Sequence, residues 1–160
     1  VSRVSPSEVV DTTLSLLRHR LDSCDVAVTV RREHPLPEIN IDPDQLKEVI
    51  VNLILNACEA MPGGGKVAIV EEQGVMEPQG KVVTIRISDT GPGIPERHAD
   101  EIFQPFFSTK EEGTGLGLSI ARRIMEEHGG WIHCSSGEGK GATFVLVLPV
   151  KEGVSSWHRS

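Results

Sequence analysis

The sequence predicts an α+β fold, a two-layer α/β sandwich in which three helices cover one face of a mixed sheet of about five strands. Helical and strand periodicities follow one another along the chain without strict alternation. The 160 residues, 38% of them hydrophobic, suffice for one continuous core. No G-x-G-x-x-G lies between a first strand and a helix, which argues against a dinucleotide-binding fold.

The first helix is predicted over Ser5 to Leu21, where apolar residues recur at helical spacing. Ser5 and Glu8 form a capping box around its first turn. Two short apolar segments follow, Val26 to Val30 and Ile39 to Ile41, separated by a proline-containing stretch. We interpret them as two strands of a hairpin.

The second helix is predicted to begin at Asp42 and Pro43 and to end at Met61, before a proline and three glycines. Two segments rich in branched residues come next, Lys66 to Glu71 and Lys81 to Ser88. Because a Gly- and Pro-containing connection joins them, we expect these two strands to pair.

The chain from Asp89 to Gly117 is loop-rich. A third helix and two final strands are predicted after it, at Leu118 to His128, Trp131 to Ser135 and Ala142 to Val147. Residues 1–150 are therefore predicted to form one domain, and residues 151–160 a polar C-terminal tail.

Composition excludes several classes of function. The 16 Lys and Arg against 23 Asp and Glu give a formal charge of -7, so we expect no nucleic-acid partner. The longest apolar runs are far shorter than the roughly 18 residues that span a bilayer, so we expect no membrane contact by this domain.

Cys24, Cys58 and Cys134 form no C-x-x-C pair, which favours packing thiols in a reducing, cytoplasmic compartment. The chain begins at Val1 with neither Met nor a leader segment, and we expect it to be a piece of a longer protein.

The second helix carries a polar strip beside its apolar face. At 100° per residue Asn52 and Asn56 lie about 40° apart, with Glu48 and Glu59 a little further round. Asn is a poor helix former, so two of them in mid-helix suggest an interaction that offsets their cost. The alternative, a pair of ordinary surface amides, stays open at this point.

The segment Asp89-Thr90-Gly91-Pro92-Gly93-Ile94-Pro95 directly follows an apolar strand. An Asp at a strand end can accept a hydrogen bond from the amino group of a base, and the glycines let the backbone approach a ligand closely. An Asx-turn with purely structural glycines is the alternative.

Further on, Phe103 to Lys110 precedes the glycine-rich Gly113 to Leu118, which runs into the third helix. Glycine-rich backbone at a helix N-terminus, together with the positive charge of Lys110, is typical of a phosphate site. A G-x-x-x-x-G-K-[ST] loop is absent, so the P-loop NTPases are excluded. An ordinary flexible loop is again the alternative.

These four segments, NLILNACEAM, DTGPGIP, FQPFFSTK and GTGLGLSI, resemble the N, G1, F and G2 boxes of the catalytic and ATP-binding domain of sensor histidine kinases. The wider GHKL superfamily also includes gyrase-type topoisomerases, mismatch-repair ATPases and a heat-shock chaperone. The resemblance covers about Ser5 to Pro149 and implies a Bergerat-type ATP-binding fold. It is strongest to kinases of the nitrogen-regulation type. Glu59-Ala60 departs from kinases that have Lys-Tyr there, which puts the contacts of that turn in doubt.

The resemblance implies ATP and Mg²⁺ as cofactors and gives each residue a role. Asn56 would ligate Mg²⁺, Asn52 would contact the phosphate side, and Asp89 would accept from the adenine amino group. The further expected nucleotide contacts are Glu59, Gly91, Gly93, Ile94, Lys110, Gly113, Thr114, Gly115, Leu116, Gly117 and Thr143, the last supporting Asp89 through water. Glu48, Asn52 and Lys110 are the candidate catalytic residues.

By the same resemblance, the domain transfers the γ-phosphoryl group of ATP to a histidine for relay to an Asp of a response regulator. None of the six histidines here is followed by an acidic residue and a Pro, as in the family's phosphoacceptor box. We therefore expect the phosphoacceptor histidine on a dimerisation domain of the same protein. We expect the full-length protein to be a homodimer. Whether that protein is anchored in a membrane stays open. The alternatives are a GHKL-type ATPase, a non-catalytic nucleotide-sensing module and an anti-sigma-type serine kinase.

Overall fold

The computed structural model describes residues 2–94, 101–104, 117–136 and 141–150. Its helices and strands follow the chain in the order β1 (Ser2–Val4), α1 (Pro6–Ser23), β2 (Val26–Arg32), β3 (Ile39–Ile41), α2 (Pro43–Ala60), β4 (Gly65–Met76), β5 (Gly80–Asp89), a 3-10 turn (Glu101–Phe103), α3 (Gly117–Glu127), β6 (Trp131–Ser136) and β7 (Ala142–Pro149). The predicted α+β class and the three helices are confirmed. None of the helices in these ranges is long and apolar enough to cross a membrane.

The main sheet has five strands in the order β2-β4-β5-β7-β6, and β1 and β3 form a separate two-stranded sheet. Only β2 and β4 are parallel in the main sheet, while its other neighbours are antiparallel. Buried side chains of all three helices form one core cluster with one face of this sheet. The sandwich with a mixed sheet is therefore confirmed, and β5 is its central strand.

The predicted hairpin of β2 with β3 is wrong. Strand β2 instead runs parallel to β4, with Val26 opposite Gly65, and β3 pairs with β1. After α1, Asp25 adopts a left-handed conformation with φ 60°, and its carbonyl accepts from the Gly65 N–H at 3.1 Å. This contact starts the parallel ladder. Strand propensity identifies a strand but not its partner, and the long β4 offers β2 more pairing than the three residues of β3.

The helix starts agree with the capping signals in the sequence. Ser5 Oγ accepts from the Glu8 N–H at 3.3 Å, and Asp42 Oδ1 accepts from the Asp44 N–H at 2.9 Å. Strands β4 and β5 pair as expected, but their ladder continues to Met76 opposite Gly80. It therefore extends beyond the apolar segment from which the strand was predicted.

A buried ion pair between β2 and β4 also holds α1 against the sheet. The Glu71 side chain is fully buried, and Arg32 donates to its two oxygens at 2.8 and 2.6 Å. Asp11 on α1 accepts two further bonds from Arg32, and the Ser7 hydroxyl donates to Glu71. The carboxylates of Glu71 and then Asp11 raise the pKa of the Arg32 guanidinium. This network lies at the C-terminal end of β2 and in the middle of β4, four residues along β4 from Val67, which pairs with Asp89.

Candidate functional site

The polar strip of α2 faces the start of α3. Asn52 is half-buried and donates its Nδ2 hydrogen to the Gly117 carbonyl at 3.3 Å, which ties the middle of α2 to the first turn of α3. Asn56 is also half-buried, and its amide makes no hydrogen bond with any residue in the described ranges. Glu48 and Glu59 are exposed on the same helix. The helix thus presents one amide that is hydrogen-bonded and one that has no hydrogen-bond partner among the described residues.

Asp89 ends β5 with only 9% of its surface exposed. Its Oδ1 accepts from the Gly91 N–H at 2.9 Å and from the Ala142 N–H at 3.2 Å. These two bonds offset the cost of burying a carboxylate and fix its orientation. Within the part of the chain that the structure describes, Oδ2 accepts no hydrogen bond. The Asx-turn proposed as an alternative is therefore present, and it leaves one oxygen for a ligand.

The glycines around Asp89 allow close backbone packing. A Cβ on Gly91 would lie 3.2 Å from both the Ala60 carbonyl and Asp89 Oδ1. Gly93 has a φ of 81°, a backbone conformation that is strained for any residue other than glycine. Gly141 has a φ of 77°, and a Cβ there would clash with the Asp89 carbonyl. Gly141 was missed as a site residue, although the glycines just before Thr143 were the available signal.

Thr143 occupies β7 next to the end of β5. Its hydroxyl lies 2.9 Å from that of Ser88, in the register that pairs these two residues. The direct contact with Asp89 is made by the Ala142 N–H instead. Ser88 was also missed by sequence reasoning, because a polar residue within a strand gives no signal of its partner. Ile94 is half-buried and packs against the core.

Two thiols near these elements remain protonated at neutral pH. Burial, and then the negative charge of Asp89, raise the pKa of Cys134 to about 11. Burial, and then the neighbouring Cys24, raise the pKa of Cys58 to about 11. These environments agree with packing thiols. No group of three His, Cys, Asp or Glu side chains in the described ranges is arranged to hold a metal.

Five of the predicted site residues lie outside the described residues: Lys110, Gly113, Thr114, Gly115 and Leu116. Of the described ones, Asp89, Gly91, Gly93 and Ile94 lie at the turn after β5, Gly117 at the start of α3, Thr143 on β7, and Glu48, Asn52, Asn56 and Glu59 on α2. At the C-terminal end of α2, Ala60 lies against the turn that carries Asp89, and eight residues earlier Asn52 contacts Gly117. The two contacts are about 12 Å apart along the helix axis. This layout suits an elongated ligand with a hydrogen-bond donor at one end and anionic groups at the other.

Comparison with known proteins identifies the family to which the chain belongs. Residues 41–152 match the model of the family described as histidine kinase-, DNA gyrase B-, and HSP90-like ATPases. The sensor histidine kinase ZraS of Escherichia coli (strain K12) is 40% identical over 147 residues, which are 92% of this chain and 30% of ZraS. The chain thus spans less than a third of the length of that relative.

Solved structures give the same result. The catalytic domain of histidine kinase ThkA, in a nucleotide-free form, superposes with a TM-score of 0.79 at 32% identity, covering 92% of this chain and 96% of that domain. ThkA in complex with the response regulator protein TrrA gives 0.79 at 28% identity, covering 94% and 42%. Full-length ShkA in complex with AMPPNP gives 0.80 at 26% identity, covering 92% and 30%.

The chain belongs to the family of histidine kinase-, DNA gyrase B-, and HSP90-like ATPases. Within that family it is a catalytic, ATP-binding domain of the sensor histidine kinase type, since its relatives carry that name and its fold is that of their catalytic domains. The resemblance stated from the four sequence motifs is confirmed. The nitrogen-regulation subtype stays a prediction.

Proposed function

We propose that this domain binds Mg²⁺ and ATP and transfers the γ-phosphoryl group to a histidine on the dimerisation domain of the same protein. The phosphoryl group then passes to an Asp of a response-regulator receiver domain. The protein acts as a homodimer, and its catalytic domain works in the cytoplasm. The complexes of ThkA with TrrA and of ShkA with AMPPNP support the partner and the nucleotide for those relatives.

The observation that carries the proposal is the Asp89 carboxylate. Two backbone N–H groups hold Oδ1, and Oδ2 is left with acceptor capacity at a nearly buried position. An exocyclic amino group supplies the missing donor. Adenine has such a group at its 6-position, whereas guanine has a carbonyl there, which would face the carboxylate acceptor to acceptor. The site therefore favours ATP over GTP.

Asn56 supports the proposed magnesium site. Mg²⁺ prefers oxygen ligands, keeps several waters and is bound through few protein groups together with substrate phosphates. The half-buried Asn56 side chain has an amide oxygen to which no described residue donates a hydrogen bond. This oxygen is a ligand of the kind that Mg²⁺ prefers. When bound, Mg²⁺ would neutralise charge on the phosphates during transfer. Asn52, one helical turn earlier, would orient the phosphate end.

The transfer itself is a balanced exchange of bonds. A histidine ring nitrogen attacks the γ-phosphorus, a P–N bond forms, and the bond from phosphorus to the β,γ-bridging oxygen breaks to release ADP. The other ring nitrogen gives up its proton to a base, a role for which the exposed Glu48 is the candidate. Positioning and charge stabilisation supply most of the rate in such reactions. Lys110 and the glycine-rich segment before α3 would hold the phosphates.

Calorimetric titration of ATP, with and without Mg²⁺, tests the nucleotide site. The wild-type chain should bind ATP more tightly with Mg²⁺ than without it. In Asn56→Ala this increase in affinity should be smaller by a factor of roughly ten, equivalent to about 1.4 kcal/mol. Asn40→Ala is the matched control, because Asn40 is a half-buried Asn on β3, before the N-cap of α2 and so beyond the helix end opposite to Asn56. An Asn56→Ala variant with full Mg²⁺ dependence would contradict the magnesium role, and a wild type that binds no ATP would contradict the proposal.

Labelled ATP tests the transfer. The domain is mixed with ATP carrying a radioactive γ-phosphate and the histidine-bearing dimerisation domain of the same protein. Acid-labile, base-stable label should appear on the dimerisation domain, and release of free phosphate without labelled protein would instead favour the ATPase alternative.

A further inference from the structure

The Thr90 side chain, next to Asp89, contacts both β4 and the end of α2. Thr90 directly follows Asp89, and although the residue is exposed, its hydroxyl turns inward. Thr90 Oγ1 accepts from the Lys66 N–H at 3.0 Å and donates to Met61 Sδ at 3.4 Å. A hydroxyl has one hydrogen to donate, and Thr90 donates it to Met61 while its oxygen accepts from Lys66.

Met61 is the buried C-cap of α2, with 4% of its surface exposed. It packs between two glycines: a Cβ on Gly65 would lie 2.5 Å from Met61 Sδ, and a Cβ on Gly91 would lie 3.2 Å from Met61 Cγ. The same Gly65 Cβ would lie 2.7 Å from Thr90 Oγ1. Both glycines therefore leave room for the contact between Met61 and Thr90.

The ladder between β4 and β5 ends at Val67 opposite Asp89, so Thr90 is already beyond it. The Thr90 hydroxyl is the tie that continues the attachment to β4, at Lys66, and extends it to the end of α2. Because Asp89 is held by the Gly91 N–H within the same turn, a shift of that turn would move Oδ2.

We infer that Thr90, through Met61 and Lys66, is a positioning residue that holds Asp89 in register for recognition of the 6-amino group of adenine. The helix that carries Asn56 ends at Met61, so the same contact fixes the base-recognising turn relative to the proposed metal ligand. This inference rests on the proposed function.

The test compares two nucleotides that differ only at the group Asp89 would recognise: ATP, and purine riboside triphosphate, in which hydrogen replaces the 6-amino group. Calorimetry with Mg²⁺ gives the affinity ratio of the two. Thr90→Val removes the hydroxyl and nearly keeps the shape. We expect ATP affinity to fall about tenfold and analogue affinity to change less than about twofold, because only the bond to the amino group is weakened.

Thr84→Val is the matched control, since Thr84 is a half-buried threonine within β5, the strand that leads to Asp89, in mid-ladder opposite Glu72 and Val147. Thr84→Val should keep the wild-type ratio of the affinities for ATP and the analogue. Thr90→Ser, which has a hydroxyl at this position, should also show the wild-type ratio. Should Thr90→Val fail to fold, Gly65→Ala carries the test, because its Cβ displaces both Met61 and Thr90. Its control is Gly63→Ala, where a Cβ meets nothing within 4 Å.

An equal loss for both nucleotides in Thr90→Val, or no loss for either, would overturn the positioning role while leaving the proposed function standing. A wild type that binds neither nucleotide would overturn the proposed function itself, and this inference with it.

Discussion

Replacing Arg32 by Met should cost the domain more stability than any surface ion pair can supply. Arg32 and Glu71 share two hydrogen bonds, and the Glu71 side chain is 0% exposed. Removing one partner of a buried pair leaves a buried charge and costs about 3–5 kcal/mol. The Arg32 side chain is itself 31% exposed, so water can enter beside Glu71. We therefore expect the lower end of that range, about 3 kcal/mol.

The assay is urea denaturation followed by circular dichroism, with Asp11→Asn as the comparison. The Asp11 side chain is 57% exposed and bonds the same guanidinium, so this change should cost less than about 1 kcal/mol. The double variant Arg32→Met with Glu71→Leu should recover most of the loss, because no charge is left buried. If Arg32→Met cost no more than Asp11→Asn, the burial argument would be refuted.

Two further predictions concern the neighbourhood of Asp89 and the buried thiols. Gly141→Ala should lower the free energy of unfolding by about 2 kcal/mol or more and abolish ATP binding, because of its positive φ and its clash with the Asp89 carbonyl. Gly74→Ala, where a Cβ meets nothing within 4 Å, should change neither in the same thermal melts and titrations. Stability should fall as pH rises from about 9 to 11, because Cys58 and Cys134 have pKa values of about 11 in the folded state, whereas the unfolded thiols ionise near 9. Urea titrations at several pH values measure this, and a flat profile would contradict the burial of these thiols.

The helices could be predicted from the sequence because their signals are local. Caps at Ser5 and Asp42 and an apolar stripe at helical spacing specify a helix without reference to the rest of the chain. The pairing of β2 could not be predicted this way. It depends on the left-handed Asp25 and its contact with Gly65, which are 40 residues apart in the chain. Local alternation says nothing about such a contact.

The same distinction applies to the site. Asp89, Asn52 and Asn56 could be predicted as site residues because their motifs are contiguous and resemble those of a known family. Of the two contacts that fix Asp89, the Gly91 N–H is local, but the Ala142 N–H comes from β7, distant in sequence, and a backbone N–H group gives no sequence signal. Thr90 was visible in its motif, but its bonds to Lys66 and Met61 depend on where α2 ends and β4 begins.

The most direct test of adenine recognition by Asp89 is calorimetric titration of ATP and inosine triphosphate into the wild type and Asp89→Asn. In the variant the remaining oxygen must still accept from the Gly91 and Ala142 N–H groups, so the new NH₂ group takes the place of Oδ2. A donor then faces the 6-amino group of ATP. We expect ATP affinity to fall about 100-fold, from the loss of a charge-assisted bond. The 6-carbonyl of inosine should be preferred instead. Equal ATP affinity in the two proteins, or a wild type that does not distinguish the nucleotides, would contradict the account.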